Sequence, residues 1–145
     1  MQYLLAMKKG TKLYSILHFV CPVCQEGKFF KAGPYNLRKV GDLHECCSSC
    51  GLKYEKEVGF YYGAMYVSYA LAVAEFVTCW CIFSWFLPWV SAFWEITVIL
   101  SITFITAPLK YAYSKIIWAN LFFSYNKDWK KEKGPDGSLD QNLEG

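Results

Sequence analysis

From Glu57 to Leu109 the chain has no lysine and no arginine, although 15 such residues stand elsewhere among its 145. Residues 60–118 are also almost continuously apolar. A block so long and so unbroken is too much for a soluble core and reads as membrane-embedded. The gap in basic charge therefore speaks to membrane topology rather than to nucleic-acid binding. Catalytic apparatus is missing as well. There is no Ser-His-Asp set, no paired carboxylates and no phosphate-binding glycine loop, so the chain is not expected to be an enzyme. No βαβ pattern surrounds its Cys-x-x-Cys motifs, which argues against a thiol oxidoreductase. The apolar run Leu13–Val20, behind Lys8, Lys9 and Lys12, is only eight residues and has no small-residue cleavage site. Residues 1–20 are therefore expected to be a basic, amphipathic lead-in lying on the membrane rather than a signal peptide. Met7 reads as an alternative start.

Cysteine, by contrast, is plentiful, with seven in the chain. Cys21-Pro22-Val23-Cys24 and Cys47-Ser48-Ser49-Cys50 are separated by 22 residues. This is the spacing of a four-thiolate zinc site, in which each pair sets two sulfurs on one tight turn around a shared tetrahedral ion. Gly51 and Gly27 suit turns with φ > 0. Short β-prone pieces broken by turn formers between the pairs predict a small β zinc ribbon over 21–57. About 30 residues cannot build a core alone, so metal binding is expected to supply on the order of 10 kcal/mol of their folding free energy. The ion is expected to be a structural Zn2+ on Cys21, Cys24, Cys47 and Cys50. Cys46 would break the two-residue spacing and is read as a spectator, and His44 as a turn residue.

The first apolar segment predicts a transmembrane helix over 59–87, ended by Pro88. Tyr61, Tyr62, Tyr66 and Tyr69 form an aromatic belt at its start. Gly59, Gly63, Ala64, Ser68 and Ala72 recur at helical spacing as a packing face, and Ala70 with Ala74 make a second face suited to another subunit. Trp85, Trp89 and Trp94 mark the far interface. The second apolar core, Ile96–Leu109, has 14 residues, fewer than the ~20 needed to span. It is expected to continue through a kink at Pro108 to a snorkelling Lys110, giving a helix over 93–112. An interfacial helix over 113–126 and a disordered tail over 127–145 should follow. Nine Lys and Arg precede the first helix and six follow the second core. Both termini are then cytoplasmic, the ribbon thiols stay reduced, and in a bacterium the host is the inner membrane. Cys79 and Cys81 lie inside the first helix, point different ways and serve as small hydrophobes. The fold class is an α-helical membrane protein, a two-helix hairpin preceded by a zinc ribbon.

Glu75 is central in the first helix, and an ionisable group there is a candidate polar site. Three readings compete: a proton- or cation-carrying group, a contact to a partner subunit, and a neutral acid hydrogen-bonded within the hairpin. The last is favoured, with Thr78, Ser101 or Thr103 as partners and Lys110 out of reach.

CPVCQEGKFF at 21–30, HECCSSCG at 44–51, GFYYGAMYVSYAL at 59–71 and APLK at 107–110 together resemble domain-of-unknown-function family number 983. This is a family of small bacterial inner-membrane proteins, and the likeness covers residues 8–125. It implies a zinc ribbon, two transmembrane helices and a non-cysteine where Cys46 stands. Some members are encoded beside cytochrome oxidase subunits and assembly factors, which implies a link with respiratory complexes. The expected function is thus a non-catalytic adaptor, accessory subunit or assembly factor of a larger membrane complex. Its expected partners are integral membrane subunits and anionic lipids, with no small-molecule substrate. The alternatives are a membrane-anchored thiol redox or metal-handling protein and a membrane-tethered nucleic-acid-binding ribbon. Lys28, Lys31, Arg38, Lys39, Lys53 and Lys56 would give the latter its basic surface, but nearby lipid headgroups already account for that charge.

Overall fold

The computed structural model describes residues 9–36 and 38–132. Among the described residues the helices are, in order, α1 (Lys12–His18), α2 (Tyr62–Phe86), α3 (Ala92–Phe122) and α4 (Trp129–Glu132). Helix α1 begins where the Thr11 hydroxyl accepts the Tyr14 amide and ends at Phe19, which takes the left-handed conformation (φ 53°). It packs against α3. Met7 and the rest of residues 1–8 lie outside the described residues.

Helices α2 and α3 are long and apolar enough to cross a membrane. At 1.5 Å per residue they measure about 37 and 46 Å, against a hydrocarbon thickness of about 30 Å. The five-residue connection 87–91 turns α3 back along α2, and the two pack as an antiparallel hairpin. Ala64 and Ile99 are buried in the seam. A side chain at Gly63 would overlap the indole of Trp118, so close approach requires glycine there. Ser68 and Ala72 are half-buried on the same side, while Ala70 and Ala74 stand exposed. Gly59 precedes the helix, with φ 87°, so it does not pair with Gly63 on a helical face as its spacing suggested.

Two segments differ from the sequence expectation. Helix α3 does not stop near residue 112 to give way to an interfacial helix; it runs unbroken, with Pro108 inside, to Phe122. Membrane helices tolerate an internal proline where neighbours re-satisfy the backbone. The C-terminal part of α3 forms a post against which the cysteine turns pack, and its Ala112, Ser114, Ile116, Ala119 and Asn120 are buried. Nor is all of 127–145 a loose tail. Asn126 donates its amide to Val23 O at 3.2 Å, and α4 brings Trp129, only 8% exposed, into the core. One tryptophan among charged residues suffices to anchor the segment. Residues 133–145 lie outside the described residues.

Residues 20–54 form no strand among the described residues. Their pairing is three isolated antiparallel bridges: Val20 with Lys28, Phe30 with Leu43, and Cys46 with Lys53. The hairpins expected of a ribbon are thus reduced to single rungs, because the cysteine turns and Gly33-Pro34 interrupt each ladder before a second rung can form.

Candidate metal centre

Two tight turns carry the sulfurs. In the first, Gln25 N donates to Cys21 O (3.0 Å) and Cys21 N to Gly27 O (2.8 Å). In the second, Gly51 N donates to Cys47 O (2.9 Å) and Cys47 N to Leu52 O (2.8 Å). Each turn leaves through a left-handed residue just after its second cysteine, Gln25 at φ 55° and Gly51 at φ 75°. The sequence pointed to Gly27 for the first of these roles. Gln25 takes it instead, although a non-glycine residue there costs about 1–2 kcal/mol. Its buried amide compensates, accepting from Gly10 N (2.7 Å) and donating to Thr11 O (2.8 Å). Gly27 is needed for space, since a Cβ there would collide with Cys47 Sγ.

The turns bring together Cys21, Cys24, Cys47 and Cys50, whose sulfurs all lie within 4.8 Å of one another. Cys21 Sγ stands 3.8 Å from Cys50 Sγ, and Cys24 Sγ 3.6 Å from Cys47 Sγ. Four sulfurs at ~2.3 Å from a tetrahedral ion would stand about 3.8 Å apart, whereas a disulfide would bring a pair to ~2.05 Å. The spacing therefore fits a shared ion. All four thiols are at most 3% exposed, so the cluster is closed, as structural sites are. Cys46 is exposed and outside the cluster. His44 is exposed too, its backbone amide bonded to Phe29 O at 3.3 Å.

Without a cation, four thiols this close must share their protons. Hydrogen bonding with Cys24, then with Cys47 and Cys50, holds Cys21 far above the ordinary thiol range. Hydrogen bonding with Cys21 pulls Cys24 and Cys47 down. Cys50 is drawn down by Cys21 but pushed further up by Cys24, Cys47 and burial. Binding of a cation displaces whatever thiol protons the cluster shares. Tyr54 closes the site from one side, donating to Lys28 O at 3.1 Å with its ring 4.7 Å from that of Phe29. Burial, the largest cause, pushes its phenol up, so it stays neutral.

The cluster shares one core with the post. Val23, Phe29, Leu52 and Tyr54 are buried continuously with Ile116, Ala119, Phe123 and Trp129. Directed hydrogen bonds fix the register. Ser15 Oγ donates to Val20 O (2.7 Å), and Asn120 Nδ2 reaches Ser15 Oγ (3.2 Å). Trp118 Nε1 donates to Phe60 O, and Tyr61 OH to Tyr54 O, both at 2.8 Å.

A second polar site lies inside the hairpin, and it corrects the reading of Glu75. Lys110 does reach this carboxylate: its Nζ pairs with Oε2, while Thr106 Oγ1 donates to Oε1 at 2.8 Å. The ion pair replaces the neutral acid that was expected. Thr78 and Ser101 bond their own helix carbonyls instead, and Thr103 offers only its carbonyl, to Thr106. Lys110 and Thr106 were missed because pairing across the seam depends on helix register. Their i,i+4 spacing on one face was the available signal. Cys79 is half-buried and Cys81 exposed, and neither joins a polar cluster. No protein-family model matches the chain, and no curated protein or solved structure matches it either.

Proposed function

We propose that the chain is a non-catalytic adaptor of the bacterial inner membrane, an accessory subunit or assembly factor for a larger complex. Its hairpin inserts from the cytoplasmic side, both termini stay there, and a structural Zn2+ holds Cys21, Cys24, Cys47 and Cys50. The observation that carries the reading is the shared core between the cysteine turns and the α3 post. A closed sulfur cluster fused to a membrane helix is suited to present a rigid surface, and it has no open position for a substrate. The resemblance to family 983 points to a respiratory, cytochrome oxidase-related host, a reading by analogy. The small-residue face Ala70–Ala74, exposed beside the seam, supplies a lateral docking face for an integral subunit. Extraction in mild detergent followed by affinity purification should retain subunits of a single membrane complex. Quantitative recovery of the chain free of membrane subunits would contradict the adaptor role.

A further inference from the structure

Lys115 sits on α3 where the post leaves the bilayer. Its ammonium donates to Gly41 O at 2.9 Å and lies 5.5 and 4.9 Å from the ring centroids of Tyr61 and Tyr111. Among the described residues no carboxylate pairs with it. A half-buried cation held by one carbonyl and two π faces keeps donors free and attracts an anion. It lines a cavity of about 310 Å³ together with Tyr61, Tyr62, Met65, Tyr111 and Glu55. Glu55 is exposed and has no ion-pair partner among the described residues. The cavity is thus lined by one cation, one anion and three tyrosines, at the level of the aromatic belt where headgroups lie. Below it, Met65 and Tyr66 are exposed along α2, 64% and 79% respectively, an apolar path for an acyl chain.

We propose that this cavity binds the headgroup of a zwitterionic phospholipid bearing a primary amine. The phosphodiester accepts from Lys115, and the ammonium donates to Glu55 while resting against the tyrosine rings. A headgroup whose only charge is the phosphodiester would satisfy Lys115 but set an uncharged alcohol against Glu55, leaving that carboxylate without a counter-charge, so the pocket selects by the pair. The inference rests on α2 and α3 crossing the bilayer, and on no protein partner.

The test uses the full chain in nanodiscs of mixed composition, with the lipids retained around it quantified after exchange. Phosphatidylethanolamine should be enriched about tenfold over phosphatidylglycerol at one site per chain. Lys115→Gln should lower retention of both lipids. Glu55→Gln, a change at an exposed position, should remove the preference while leaving total retention intact. Soluble glycerophosphoethanolamine should compete at least a hundredfold less well than the diacyl lipid. Preference for phosphatidylglycerol, indifference to both substitutions, or equal competition by the soluble headgroup would each overturn the proposal. A chain that fails to enter nanodiscs refutes the membrane reading itself; incorporation without preference refutes the pocket alone.

Discussion

Replacing Glu75 by leucine leaves the Lys110 ammonium inside the hairpin without its counter-charge. The two side chains are 18% and 14% exposed, so neither is freely solvated. At ~4 Å separation and an effective dielectric near 20, their gross attraction is about 4 kcal/mol. Desolvation offsets much of that, which is why an apolar pair of similar volume can be nearly neutral while loss of one partner is costly. A lone lysine deep in a membrane helix costs about 2.5–3.5 kcal/mol, reduced when it can snorkel. Lys110, followed directly by Tyr111 at the end of its apolar core, has that escape. Glu75→Leu and Lys110→Leu should therefore each cost about 2 kcal/mol, the double replacement only about 1, and the coupling should be near 3 kcal/mol. Glu75→Gln should lose nearly as much as leucine, because an amide cannot neutralise the ammonium. Reversible unfolding in bicelles, followed by tryptophan fluorescence, measures all four variants. Additive single substitutions would refute the ion pair. A tolerated glutamine would restore the neutral acid that the sequence suggested.

Three further outcomes follow from the same structure. A membrane-impermeant lysine label applied to intact spheroplasts should miss Lys53 and Lys130; labelling of either from outside would invert the topology. Ile116 of the post is fully buried in the core shared with the cysteine turns, so Ile116→Ala should cost about 3 kcal/mol. It should hasten metal stripping by chelators without changing stoichiometry, and an unchanged stripping rate would detach the cluster from the helix. The close-packed thiols share protons, with Cys21 and Cys50 shifted up by their neighbours, and a four-thiolate site must lose those protons on metal binding. Metal binding should therefore release protons, and apparent affinity should fall steadily as pH is lowered. A flat affinity between pH 6 and 8 would contradict the four-thiolate site.

Hydropathy announced both long helices, because apolar surface on every face has no stable place in water. The spacing of Cys21, Cys24, Cys47 and Cys50 likewise announced four neighbouring sulfurs, since two short turns leave few other ways to arrange them. What sequence could not show was set by register and by tertiary contact. Lys110 finds Glu75 only because the connection 87–91 fixes which turns of α2 and α3 face each other. Apolar content at 113–122 suits an interfacial helix and a buried post equally well; the Ile116 and Ala119 contacts with the cysteine turns decide between them. Gln25 was invisible as a structural residue, because its left-handed backbone depends on hydrogen bonds to Gly10 and Thr11.

Metal analysis of the purified chain tests the central claim most directly. Wild type and Cys46→Ser should each carry one zinc per chain, with four sulfur neighbours at ~2.3 Å by X-ray absorption, and Cys47→Ser should lose the ion. A metal-free wild type whose cysteine pairs cycle between dithiol and disulfide would contradict the structural site and make the chain a membrane-anchored redox protein.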